Sequence, residues 1–311
     1  MESRAKKGEA VDNVEETHVE RKNLVGLIPV AGHEDYDFNQ PWPDCLMPIA
    51  SGYSLIEASV VECAWAGCKS IWIVANDDLA PIIRKKIGDW AWDPVWNNRN
   101  LSPNAYESRR RIPIFYVPVP LKHRDKIDCL SWSVIHGALT AFKLTSNLTK
   151  WATPSKYYVS FPQSYFDPTL LRGHRKSIVS EKNFFVSSHG MNVKDGYFTS
   201  FTFDKNDWLE FRRVIRTGTG IRVPGTTPEQ NINLNPSDRW SARWFGVDKV
   251  FSPLNLDDAY ELKIDNFFNI RSWEEYTTFI SSSRRMTIQR PTKSILTGTT
   301  YNKVAEDNDE V

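Results

Sequence analysis

The densest set of groups able to do chemistry is Arg212, Arg213 and Arg216, followed by Thr217-Gly218-Thr219-Gly220-Ile221-Arg222. Guanidinium groups form paired, charge-assisted hydrogen bonds to phosphate or carboxylate oxygens, and glycines let consecutive backbone N–H groups turn toward one anion. Arg213, Arg216, Gly218 and Gly220 are therefore a candidate anion-binding segment. The same residues also read as a helix with a solvated basic face and a glycine stop. Ser131-Trp132-Ser133, at the start of a helical pattern after Asp128, offers hydroxyls to the helix's own first turn. The six histidines (His18, His33, His123, His136, His174, His189) have no ligand spacing with the cysteines, and His136 falls inside an apolar helix, so no metal site is expected.

These groups sit in a chain of 311 residues, long enough to bury a large core. Its 39 Lys and Arg balance 38 Asp and Glu, which argues against nucleic acid as a partner. The four cysteines (Cys45, Cys63, Cys68, Cys129) form no C-x-x-C pair and point to a reduced, cytoplasmic setting. No segment has the ~18 uncharged apolar residues of a membrane span. Residues 1–22 read as a charged flexible tail, residues 23–282 as one α/β domain, and residues 283–311 as a polar tail.

Leu24 to Ala75 organises the domain. An apolar run, Leu24 to Val30, stops at Ala31-Gly32; an amphipathic helix follows; β-branched residues return from Ile71 to Val74, giving a strand, helix and strand. Ser54 with Glu57 is a capping box, and Gly67 lies where a helix stops. Leu55, Ile56, Ser59, Val60, Cys63 and Ala64 share the face that meets the sheet. Asn76-Asp77-Asp78 then opens a helix to Gly88. Ile112 to Val119 reads as a strand whose prolines suggest an edge or a strand end. Asp207 caps a helix through Arg216, and Ser272-Trp273-Glu274-Glu275 is a second capping box.

Leu27 to Gly32, Pro43 to Ile49 (PDCLMPI), Leu55-Ile56-Glu57 with Ala66-Gly67, and Phe268 to Tyr276 (FNIRSWEEY) follow one another in an order that resembles the sugar nucleotidyltransferases, the nucleotide-sugar pyrophosphorylases. The resemblance spans about Leu24 to Ile280. It implies a three-layer GT-A-like (Rossmann-like) α/β domain with a mostly parallel sheet. It also implies a nucleotide or nucleotide sugar bound near Ala31, Gly32 and Ser131, with Mg²⁺ as cofactor if activity is retained. The family pattern further carries an arginine in the first loop, a lysine after the proline of the second segment, and two metal-binding aspartates. Tyr36, Asp44 and Asn269 stand at degenerate positions, and Tyr157 to Gln163 contains no acid. Asp44 inverts the sign of a phosphate-binding cation. The expectation is a nucleotidyltransferase-like protein whose family chemistry is lost or remodelled. The alternative is a catalytically silent subunit that binds a protein partner in a larger assembly; nucleic-acid binding comes last.

Overall fold

The computed structural model describes residues 22–32, 38, 40–97, 111–124, 129–149, 152–218, 245–283, 287–291 and 296. Expectations placed on Tyr36, Asp128, Gly220 and Arg222 lie outside the described residues. The first apolar run forms strand β1 (Leu24–Pro29), with all its residues buried. Helix α1 (Leu55–Ala66) and strand β2 (Ser70–Val74) follow, and β2 runs parallel to β1 with Val25 opposite Ser70. This is the expected strand, helix and strand unit. Ser54 N donates to Glu57 Oε2 at 2.9 Å at the start of α1, and Gly67, at φ 91°, ends it.

Helix α2 (Ala80–Ile87) leads to strands β3 (Trp90–Trp92) and β4 (Arg111–Val117). Helix α3 (Leu130–Leu148) precedes β5 (Lys156–Val159), β6 (Phe184–Ser187) and β7 (Phe201–Phe203). Helices α4 (Lys205–Gly218) and α5 (Val247–Phe251), strand β8 (Tyr260–Lys263) and helix α6 (Trp273–Ser281) complete the described elements of the main layers. The eight strands form one sheet in the order β8-β6-β7-β5-β1-β2-β4-β3. Its centre, β5-β1-β2-β4, is parallel, whereas β7 runs antiparallel to both neighbours and β3 antiparallel to β4. The sheet is therefore mixed, with a parallel core.

Alternation along the central strands divides the core into two. Leu24 and Ile28 of β1, with Ile71 and Ile73 of β2, join the α1 layer; Val25 and Leu27, with Trp72 and Val74, join the layer of α3, α4 and α5. A central strand buried on both faces needs such continuous apolar sequence. Gly26 lets α1 approach closely, since a Cβ there would lie 2.9 Å from Cys63 Sγ.

Four details differ from the sequence expectations. All of α1 is buried, not one face, because the 3-10 segment Pro168–His174 covers its outer side. Arg175, just after that segment, donates to Trp65 O at 2.8 Å and Ala64 O at 2.6 Å and pairs with Asp93 at 2.7 Å. Strand β4 is not an edge, because β3 pairs along its free side with Trp90 opposite Pro113. Helix α4 starts at Lys205: Asp204 Oδ1 accepts from Asn206 N and Asp207 N, while Asp207 Oδ2 accepts from Asp204 N at 3.1 Å. Beyond residue 283 the described residues are held on the domain, with Arg290 Nη2 3.0 Å from Glu57 Oε1 and Leu296 bridged to Ala91.

Candidate functional site

Strands β5, β1, β2 and β4 all end at one edge of the sheet, where open α/β sheets bind ligands. At the end of β1, Val30 N and Ala31 N both donate to Val74 O at 2.8 Å. Gly32 has φ +120°, and a Cβ there would sit 2.6 Å from the Cys129 carbonyl carbon and from Leu130 N. Ser133 Oγ donates to Ala31 O across the same contact. The structure thus brings Ala31 and Gly32 against the first turn of α3, beside Ser131. The glycine is required by the close approach of two backbones, with or without a ligand.

Seven buried side-chain atoms among the described residues have no hydrogen-bond partner, and six of them belong to this edge. They are Asn76 Oδ1 after β2, Ser131 Oγ and Trp132 Nε1 in the first turn of α3, Gln163 Oε1 after β5, Ser188 Oγ after β6 and Thr199 Oγ1 before β7; Ser59 in α1 is the exception. Each such atom costs about 1–3 kcal/mol while it lacks a partner, and all six are sealed from solvent, so they mark polar groups the edge leaves unmatched rather than groups already open to a ligand. All six are uncharged. Were the edge to open, they could hydrogen-bond a neutral group such as a base or a hydroxylated ring.

Below the edge lies the carboxyl of Glu62 on α1. It accepts from Tyr158 OH at 2.7 Å, Ser160 Oγ at 2.8 Å and Ser200 Oγ. Burial pushes its pKa up to about 7, against the opposing effect of the three hydroxyl donors.

The arginine segment lies elsewhere. Phe211, Ile215 and Gly218 are buried under α4, and Gly218 is filled over by Phe245, whose ring would be 2.1 Å from an added Cβ. Arg212 lies over the Trp208 ring at 5.4 Å, and Arg213, 77% exposed, is 3.7 Å from Glu210. Arg212, Arg213, Arg216 and Thr217 line a shallow depression of about 380 Å³ on the outer face of α4. No residue of the carboxyl edge lines it.

No protein-family model and no curated protein matches this sequence. Solved structures do match. A Bacillus anthracis protein assigned as a glucose-1-phosphate thymidylyltransferase, solved with sucrose, superposes with a TM-score of 0.51 at 8% identity, covering 86% of this chain and 97% of that one. An apo UDP-glucose pyrophosphorylase gives a TM-score of 0.50 at 11% identity, covering 86% of this chain and all of that one. The fold is that of the nucleotide-sugar pyrophosphorylases. At these identities the likeness is one of fold alone.

The residues at which the sequence resemblance places Mg²⁺ have the following donors. Asn269 Oδ1 already accepts from Phe198 N at 3.2 Å, and the neighbouring Ile270 N donates to Gln163 O at 2.7 Å. Arg271 is clamped by Glu275, with Nη2 2.7 Å from Oε1 and its backbone N 2.7 Å from Oε2. Asp167 turns to Thr169 N at 3.0 Å. Asp44 stands half-buried on a 3-10 turn, its pKa raised by desolvation. Among the described residues no group of three or more His, Cys, Asp or Glu is arranged to hold a metal. Mg²⁺ is commonly held by one or two carboxylates with substrate phosphates, and of the described residues at the expected positions Asn269 is uncharged and already occupied and Asp167 is turned to Thr169, so these two present no free carboxylate to it.

The sequence singled out Ser131 but not Asn76, Gln163, Thr199 or Glu62 as site residues. The available signal was alternation: Tyr158 on β5 with Ser160 just after it, and Ser200 just before β7 with Thr202 on it, put hydroxyls at every second position.

Proposed function

We propose that this chain binds a nucleotide or nucleotide sugar at the carboxyl edge and does not turn it over by Mg²⁺-dependent nucleotidyl transfer. What supports this is the set of six uncharged polar atoms at that edge, unpartnered and sealed in the free protein, which a ligand would meet once the edge opens to it. Amide oxygens accept, the indole N–H donates and hydroxyls do both, which suits the edge of a base and the hydroxyls of a ribose or hexose. Nucleotidyl transfer makes a different demand. Charge on the transferred phosphorus has to be offset by cations, and Asp44, Asn269 and the Arg271–Glu275 pair supply none free to do so.

Calorimetry with a panel of nucleotides and nucleotide sugars tests this, alongside an assay for pyrophosphate release. The expected result is binding whose affinity is the same with and without Mg²⁺, and no pyrophosphate from a nucleoside triphosphate with a sugar phosphate. Asp44→Lys does not restore turnover. Arg213→Ala with Arg216→Ala leaves the affinity unchanged, because those side chains stand on the outer face of α4. Robust Mg²⁺-dependent pyrophosphate release, or failure of every member of the panel to bind, would overturn the proposal.

A further inference from the structure

We propose that the cleft behind α1 is a second binding site, for a neutral carbohydrate. The cleft has a volume of about 680 Å³ and lies between α1, the turn after β5 and the C-terminal segment 287–291. That size is in the ~300–1,000 Å³ range of sites for small organic ligands. No residue of the six-atom cluster at the carboxyl edge lines it, so it does not depend on the nucleotide proposal.

Three aromatic side chains carry the inference. Tyr53 is 3% exposed and Trp65 9% exposed, and both line the cleft with Tyr165. Buried tyrosine and tryptophan normally satisfy their polar tips inside the protein. Among the described residues, the Tyr53 hydroxyl, the Tyr165 hydroxyl and the Trp65 indole N–H have no hydrogen-bond partner. None of the three is among the sealed, unpartnered atoms of the interior. Three rings with polar tips thus line one space. Phe268 adds another ring, and Asp167 and Asp265 add carboxylate acceptors at the rim.

A ligand matching this surface needs C–H faces to lie on the rings, and hydroxyls that both accept from the tips and donate to the carboxylates. A sugar ring has both. A phosphorylated ligand would meet the two rim carboxylates; among the described lining residues Lys263 is the cation opposing them, and its Nζ lies 3.5 Å from Glu261. The repulsion favours the neutral form.

The test is calorimetric titration of the full chain with neutral hexoses and disaccharides, and with the phosphate ester of any that binds. At least one neutral sugar is expected to bind, its phosphate ester more weakly. Tyr53→Phe and Tyr165→Phe, which remove only a hydroxyl, should each weaken binding about three- to tenfold, with thermal melts confirming that both variants fold. Absence of binding by every neutral sugar, full affinity in both variants, or tighter binding of the phosphate ester would overturn the assignment. Nucleotide binding that survives both tyrosine substitutions leaves the carboxyl-edge site standing, so the two proposals fail separately.

Discussion

Replacing Glu62 with glutamine should change how stability depends on pH. The side chain is fully enclosed, and burial moves its pKa from 4.5 to about 7. A folded state that holds a proton more tightly than the unfolded chain is most favoured below the unfolded pKa. Its advantage is lost as pH rises through the folded value. Between about pH 4.5 and pH 7 the native protein should therefore lose stability from this one group. At 1.36 kcal/mol for each tenfold change in proton affinity, the loss is about 3 kcal/mol. Glutamine keeps the shape, accepts from Tyr158 and Ser200 through its oxygen, and can donate to Ser160 through its amide. Urea unfolding of both proteins at pH 5 and pH 8 measures the effect. Glu62→Gln should gain about 2–3 kcal/mol on the parent between the two pH values, whatever fixed cost the substitution carries. Parallel pH profiles would show that Glu62 ionises as easily inside as outside, and would refute the reasoning.

Gly32→Ala should cost at least about 2 kcal/mol in chemical denaturation, from an unfavourable φ and a Cβ placed 2.6 Å from the start of α3; a near-neutral result would mean that α3 can shift its first turn. Arg175→Ala should cost about 2–4 kcal/mol, because Ala64 O and Trp65 O lose their donor and buried Asp93 loses its guanidinium. Arg175→Lys should recover little of that loss, since one ammonium cannot reproduce the fork.

What was legible in the sequence was local. Ser54 and Glu57 are three residues apart, as are Ser272 and Glu275, and a capping interaction at that spacing needs no knowledge of the rest of the molecule. Even so, Glu275 gives its carboxylate to Arg271, not to Ser272 N, because a nearby guanidinium competes for it. The strand, helix and strand of Leu24 to Ala75 were readable because their periodicities differ. The α4 start was misjudged by three residues because Asp204 and Asp207 both suit a cap and only the fold distinguishes them. What could not be read joins distant residues. Glu62 meets hydroxyls 96, 98 and 138 positions away, and the six polar atoms of the carboxyl edge come from separate connections around the sheet. Polar residues in a strand signal only that something pairs with them; the partner is set by packing.

The ion pair between Arg290 and Glu57 spans 233 positions of sequence and fastens the last part of the chain onto the first turn of α1. During synthesis from the amino end, Glu57 and the whole βαβ unit emerge long before Arg290. Glu57, fully buried once Arg290 is in place, then lacks its guanidinium and has Ser54 N and Oγ, at 2.9 Å, and Lys86, at 3.5 Å, as the partners made early. The buried carboxylate is thus left with one cation where the folded protein gives it two, and closure of the helix start is tied to the arrival of a residue 233 positions away.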